Sequence, residues 1–485
     1  MEKTKNFKSD YIKFGIVLLF MFGFRFLPPI GSITPYGMAV LGIMIGAILG
    51  WSFDGASMLQ TSLIALVALA LAGYTGGING VATNLLASSN LTVMILCMIM
   101  TGALMDAGVD NWLIAKLMNL PFAKGKPWVI TFLFVFVPFV LCIFIMNTSL
   151  MLFLLPLYAK LFRGAGYQNG DKYVIHVFLG SVLSAMAAVY LFPFIGVALV
   201  FGGLVQAYTG VMWTQAEYMM TISVFSILLS AGYVLFMRLI GCDASKMKDV
   251  DLSVFGDANA GITKHQKGVL ACIILYIIGS IIISFGSLID IPITNLLAQV
   301  GIYGWIFTII AIMMIVRVDG KRLMNVHTAT AKGLSMDLIM LVAAATLVGG
   351  ALTSAESGFS AFLTSLAAPL LGGLGPYAFA AVLFIAALVA TNFCNNMAIM
   401  FIGFALIGSF VAGGMNINGP MLAGGVMLFS QLGFMLPSSS MWGAILHTAE
   451  MATPSSVIKN SFLMMLYIIV MTLVIFIPLC MVVFY

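Results

Sequence analysis

LCIFIMNTSLMLFLL (Leu141–Leu155) and ATNFCNNMAIMFIGF (Ala390–Phe404) each set an asparagine-centred polar cluster in the middle of an apolar run. The clusters are Asn147, Thr148 and Ser149 in the first stretch and Asn395 and Asn396 in the second. Polar groups at membrane depth are costly unless they are buried in protein or line a cavity, so two such clusters mark a functional site. The reading that follows takes them as two halves of one binding site.

The surrounding chain justifies the words membrane depth. Of its 485 residues, 62% are hydrophobic and 8% charged, and the mean hydropathy is +1.14. That composition describes a polytopic helical membrane protein. The N-terminal MEKTKNFKSDYIK is too polar for a cleavable signal, so residues 12–30 are expected to form the first span. Six cysteines lie scattered without paired spacing, which predicts neither a disulfide framework nor a metal site. A net charge of +5 gives no reason to expect a nucleic-acid partner.

Most apolar segments have the length of one crossing, but residues 128–162 and 376–413 do not. Each is too long for one span of ~20 residues and tight for two with a turn. They are therefore expected to be re-entrant hairpins with Asn147 and Asn396 near their tips, the alternative being two ordinary short spans joined by a polar outer turn. With both hairpins returning to their own face and a cytoplasmic N-terminus, every one of the 21 lysines and arginines except Arg25 falls on the inside. This follows the positive-inside rule and suits the plasma (inner) membrane.

Aligning the tips exposes an internal repeat. Gly102-Ala103-Leu104 precedes the first tip as Gly350-Ala351-Leu352 precedes the second, and a long span with breakers follows each hairpin. The breakers are Phe192-Pro193-Phe194-Ile195-Gly196 and Pro437-Ser438-Ser439-Ser440. Five crossings between the hairpins, an odd number, turn the second repeat over. The expected fold is an all-α polytopic membrane protein of two inverted repeats, each with a re-entrant hairpin and a broken transmembrane helix. The parts are scaffold helices (1–107), hairpin and broken helix (108–206), scaffold with a cytoplasmic linker at 242–267 (207–353), second hairpin and broken helix (354–446) and a C-terminal helix (447–485).

No carboxylate is expected inside a span, since Asp106, Asp337 and Glu356 stand near ends. His176, His265, His327 and His447 are placed toward membrane ends, as interfacial residues. An enzyme is therefore not expected. Broken helices supply what remains: free N–H groups worth ~0.5 of a positive charge at one end and free carbonyls at the other. The first can hold a carboxylate and the second a dehydrated cation such as Na⁺.

At these residues the chain resembles the divalent anion:sodium symporter family, solute carrier family 13-like members of the ion transporter superfamily. The likeness rests on ITPYGMAVLGIMIGAILGW, on both tips and on FMLPSSSMWGAIL. Where the family carries Ser-Asn-Thr, the tips read Met146-Asn147-Thr148 and Asn395-Asn396-Met397, and Thr391-Asn392-Phe393 stands where relatives often read Thr-Glu-Phe. The resemblance implies a homodimer in which a transport domain slides against a fixed scaffold. It also implies one cation position near Cys142, Met146, Asn147 and Gly196 and a second near Thr391, Cys394, Asn396 and Ser439. Substrate carboxylates are then met by Asn147, Thr148 and Ser149 on one side and by Asn395, Asn396 and Ser440 on the other.

The functional expectation is secondary active transport of a small organic anion, coupled to Na⁺, with no other cofactor. A Na⁺-independent exchanger or uniporter of the same fold is the alternative. A channel comes third, because the chain has no continuous polar stripe. Met397 replaces a hydroxyl by a bulky thioether, which points to a monocarboxylate or an acid with an apolar end rather than a symmetric C4 dicarboxylate.

Overall fold

Length and apolarity together pick out the helices able to cross a bilayer alone. Gln215–Leu239, Lys264–Phe285, Met336–Thr353 and Pro454–Phe484 are long and apolar enough to cross alone. The four arms next to the polar tips have 15, 18, 16 and 17 residues. At 1.5 Å per residue they span about 22–27 Å, and none of them is among the helices both long and apolar enough to cross a ~30 Å core alone. The chain is an all-α polytopic membrane protein. The structure is a computed structural model that describes residues 7–52, 58–87, 89–143, 147–210, 212–248, 250–255, 261–285, 292–371, 373–394, 396–415, 417–437 and 439–485.

Three helices open the chain: α1 (Phe7–Gly23), α2 (Pro35–Ser52) and α3 (Met58–Leu71). The first repeat then runs α4 (Gly77–Leu86), α5 (Ser89–Ala107), α6 (Val109–Met118), the hairpin α7 (Pro127–Leu141) and α8 (Asn147–Gly164), the broken pair α9 (Lys172–Ala188) and α10 (Gly196–Thr209), and α11 (Gln215–Leu239). α12 (Lys264–Phe285) and α13 (Pro292–Ile315) follow, with a two-stranded hairpin, β1 (Arg317–Val318) and β2 (Lys321–Arg322). The second repeat is α14 (Val326–Gly333), α15 (Met336–Thr353), α16 (Phe359–Leu371), the hairpin α17 (Pro376–Thr391) and α18 (Asn396–Ala412), the broken pair α19 (Gly419–Phe429) and α20 (Met441–Thr448), and α21 (Pro454–Phe484).

The repeat is thus short, long, short, hairpin, broken pair, long. Both hairpins start on a proline, Pro127 and Pro376, and their second arms start on Asn147 and Asn396. Proline suits the first turn because its missing N–H would lack an intrahelical partner there anyway. The closing helices each begin with a threonine capping box, at Thr214 and Thr453, and each contains a π segment, Met219–Ser223 and Thr472–Phe476. The short helices α4, α6, α14 and α16 are not foreseen from the sequence, because none is long enough to carry a span-length hydropathy signal.

The two repeats interlock through glycine. A Cβ on Gly102 of α5 would lie 2.0 Å from the Ala329 carbonyl oxygen of α14, and one on Gly333 of α14 would lie 2.0 Å from the Met98 carbonyl oxygen of α5. Backbones touch there, the usual advantage of small residues between membrane helices. Counted from the helix starts, the position in α15 that matches Gly102 is Gly349, where a Cβ would meet the Tyr208 ring at 1.8 Å. Gly350, paired with Gly102 by sequence, has only an ordinary contact at 3.7 Å. Gly102→Ala is expected to cost about 1–3 kcal/mol, because a carbonyl oxygen cannot rotate out of the way. Thermal unfolding in one detergent checks it, and unchanged stability would show that α5 and α14 part freely.

Leu235, Leu239, Val474 and Val482 are among the exposed large apolar side chains, as a lipid-facing surface requires. Arg25, the one cation that breaks the charge asymmetry, donates from Nη2 to the Leu71 carbonyl at 2.9 Å, at the C-terminal end of α3. A cation is favourable where helix carbonyls are unpaired.

His176 corrects an expectation. It is fully buried rather than interfacial, with Nδ1 2.8 Å from the Tyr233 hydroxyl of α11. His447 is half-buried with Nε2 2.9 Å from the Met435 carbonyl, while His265 is partly exposed and His327 exposed at the end of the molecule that carries the linker. The six cysteines are free.

Candidate functional site

The second tip is built to meet a helix that stops. α19 ends at Phe429 and α20 begins at Met441, so the break starts well before the Pro-Ser-Ser-Ser marked by sequence. Its carbonyls lose their intrahelical partners, and an unpaired buried carbonyl costs about 1–3 kcal/mol. Side chains from the tip take them in turn. The Thr391 hydroxyl reaches the Ser430 carbonyl, Asn396 Nδ2 donates to Gln431 O at 3.1 Å, and Asn392 Nδ2 donates to Leu432 O at 3.0 Å. The Ser440 hydroxyl meets the Gly433 carbonyl.

Asn392 is the centre of this lattice. It is fully buried, and besides Leu432 it donates to Leu388 O at 2.8 Å. Its Oδ1 accepts from the Phe434 and Met435 N–H groups, both at 2.9 Å. The fully buried Thr391 hydroxyl also lies 2.7 Å from Asn396 Oδ1. Gly433 makes room for this pairing, since a Cβ there would fall 2.3 Å from Asn396 Oδ1 and 2.9 Å from Thr391 O.

Gln431 extends the polar surface outward. It is partly exposed, with Nε2 3.4 Å from Asn396 O and 3.6 Å from Met400 Sδ. Met397 Sδ lies 4.0 Å from the same amide, so one polar group is set beside a thioether wall. Ser440 is the N-cap of α20, accepting from Trp442 N at 3.0 Å and Gly443 N at 3.3 Å. Ser439 is buried and donates to Leu436 O at 2.7 Å, whereas Cys394 is exposed.

The first tip has the same outline. α7 ends at Leu141, followed by buried Cys142, and α8 opens on the half-buried Asn147. Met146, Asn395 and the side chains of Thr148 and Ser149 lie outside the described residues. In the first broken helix the freed carbonyls are again met from neighbours. Tyr218 Oη donates to Tyr190 O at 2.9 Å, Ser223 reaches Leu191 O, and Tyr276 Oη donates to Phe194 O at 2.8 Å. α10 then starts at Gly196, and its N-cap residue Ile195 makes no side-chain cap bond.

The second tip therefore brings together Thr391, Asn396 and, through Gly433, Ser440. Sequence reasoning assigns no role to Asn392 or Gln431. A carboxamide just behind a hairpin tip and another at the start of a break were the available signals. As cation ligands, Thr391 Oγ1, Asn396 Oδ1 and the Ser430 carbonyl are chemically suitable oxygens for Na⁺. Their mutual spacing is that of hydrogen bonds, so a cation there has to separate Thr391 from Asn396. Among the described residues no group of three His, Cys, Asp or Glu side chains could hold a metal.

No protein-family model matches the chain, and no curated protein sequence matches it. Among solved structures, the chain is similar in fold to the YdaH transporter of Alcanivorax borkumensis, described as having an unusual topology. The TM-score is 0.51 at 13% identity, over 88% of this chain and 97% of that one. The chain is an integral membrane protein with the fold of a transporter of known structure.

Proposed function

We propose that this protein is a secondary active transporter of small organic anions. The observation that carries the proposal is the lattice joining Thr391, Asn392 and Asn396 to the break between α19 and α20. It fastens a re-entrant tip to the broken helix of its own repeat, making one rigid unit with helix N-termini beside it. Such a unit can bind an anion without lysine or arginine and move as a body, as elevator-type alternating access requires. The fold shared with a transporter supports the reading.

In this account Asn147, Thr148 and Ser149 from the first tip and Asn395, Asn396 and Ser440 from the second receive the substrate carboxylate. Tyr208 of α10 packs against Gly408 of α18, and the two stand equally far from their helix starts. Taken as parallel, the two helices would set Gly196 level with Asn396. The Met397 and Met400 thioethers beside Gln431 favour an acid with one apolar end over a symmetric dicarboxylate. The protein is a homodimer of the plasma (inner) membrane with a cytoplasmic N-terminus, of the kind found in the divalent anion:sodium symporter family.

Na⁺ is the proposed coupling ion, held at Thr391, Cys394, Asn396 and Ser439 and, in the first repeat, at Asn147 and Gly196. A Na⁺-independent exchanger is the second reading, favoured by one observation: the Thr391 and Asn396 oxygens already bond each other at 2.7 Å. Uptake of radiolabelled organic acids into proteoliposomes tests both. Wild-type protein is expected to accumulate at least one monocarboxylate, with a large loss when choline replaces external Na⁺. Asn147→Leu is expected to abolish uptake while the protein remains folded. Equal uptake in choline selects the exchanger, strong succinate uptake removes the asymmetric-substrate argument, and full activity of Asn147→Leu defeats the proposed site.

A further inference from the structure

Away from the tips, a groove of about 960 Å³ opens where α5 ends, the linker enters α12 and the β-hairpin turns toward α14. His265, Lys321, Arg322, Asn325, His327 and Thr328 line it. Its walls are held in place: Gln266 Nε2 donates to Ala107 O at 3.0 Å and Gly108 O at 3.1 Å, and His265 Nε2 lies 2.9 Å from Arg322 O.

The charges here are poorly matched from within the chain. Arg317 stands directly opposite Arg322 across the two strands, an arrangement in which like charges repel. Two carboxylates stand in the groove wall: Asp106 is already taken by Lys332 Nζ at 2.7 Å and by the Thr328 hydroxyl at 2.7 Å, and Asp319, in the turn between the strands, makes no ion pair with Arg317, Lys321 or Arg322. Neither ion pair given for the described residues, Arg163 with Glu450 and Lys332 with Asp106, involves Arg317, Lys321 or Arg322, and these three have no carboxylate partner among the described residues. An anion between these cations relieves the repulsion and takes charge-assisted hydrogen bonds from Arg322.

Depth identifies the source of that anion. Ile315 is 76% exposed at the end of α13, and Val316 and Val326 are exposed beside the basic hairpin. Apolar side chains exposed next to unpaired cations belong at the boundary between acyl chains and headgroups. We propose that this groove binds the phosphate of an acidic phospholipid, held by Lys321 and Arg322, with the acyl chains passing over Ile315 and Val326. The inference concerns the end of the molecule away from the polar tips and stands whether or not the transported anion is as proposed.

Basic loops are expected on the cytoplasmic side of any such chain, so the test has to separate a site from bulk charge. Delipidated full-length protein in detergent is titrated with phosphatidylglycerol, with phosphatidylcholine of the same chains, and with inorganic pyrophosphate, reading the apparent melting temperature and the lipid retained in native mass spectrometry. Phosphatidylglycerol is expected to stabilise and phosphatidylcholine not. Lys321→Gln with Arg322→Gln is expected to lower phosphatidylglycerol affinity about tenfold or more. Lys124→Gln with Lys126→Gln, which removes the same charge from another exposed loop, is expected to leave it unchanged. Equal effects of the two lipids, equal losses in the two double variants, or a wild-type response from the groove variant would overturn the proposal. Stabilisation by pyrophosphate alone would overturn the lipid source.

Discussion

Asn392→Ala is expected to lower stability by about 2–5 kcal/mol and to remove uptake, although no substrate need touch that residue. The side chain is fully buried and makes four hydrogen bonds, two given and two received. Alanine strands the Phe434 and Met435 N–H groups and the Leu432 carbonyl where neither water nor lipid can replace the partner. Asn392→Asp keeps the acceptor for both N–H groups, but it places an unpaired charge against the Leu388 and Leu432 carbonyls and should do no better. Thermal unfolding of the purified variants is the measurement. An alanine variant as stable as the wild type would mean that the lattice does not hold the break in shape.

Gly433→Ala should reduce uptake at least about tenfold and cost about 1–3 kcal/mol. The added methyl would stand 2.3 Å from Asn396 Oδ1 and 2.9 Å from a backbone oxygen, Thr391 O. The backbone oxygen cannot yield, so the Asn396 side chain must swing out, losing Thr391 at 2.7 Å and Gln431 O at 3.1 Å. A second substitution separates crowding from any other cause. With Asn396→Ala already present, Gly433→Ala should cost less than it does in the wild type, because the clash with Asn396 Oδ1 is gone and only the 2.9 Å approach to Thr391 O remains, so the two losses are not additive. Uptake should stay lost in that double variant. Full additivity of the two stability losses would show that the glycine is needed for a different reason.

The class of molecule and the repeated hairpin, each with a second arm that starts on an asparagine, were legible in the sequence because they rest on long-range regularities. Hydropathy over dozens of residues, the one-sided placement of lysine and arginine, and the recurrence of an asparagine after a hairpin-length apolar run all survive without coordinates. The break between α19 and α20 was legible only in its second half, at Pro437 to Ser440. Its first half, from Ser430, contains no proline, and it unwinds because Thr391, Asn392 and Asn396 accept the task of bonding its carbonyls. Such a partner exchange lies in tertiary contact and leaves no mark in local propensity. His176 shows the opposite limit: its position near a helix end suggested the interface, yet Tyr233 and Phe236 of α11 enclose it. The short helices α4, α6, α14 and α16 were invisible for lack of length, and the β-hairpin because two residues per strand carry no alternation.

Tyr208 has a consequence for any sliding of α10. Its ring stacks on Phe401 of α18 with centroids 5.8 Å apart, its hydroxyl meets Met44 Sδ of α2 at 3.4 Å, and its edge fills the space left by the missing side chain of Gly349. A shift of one helical turn along α15, about 5.4 Å, would bring the ring over Ala345 or Thr353, where a β-carbon occupies that space. If α10 slides as the proposed elevator mechanism requires, its height in the bilayer is indexed by an absent methyl group, like a pin resting in a detent, and the phenol has to lift clear before α10 can leave this level.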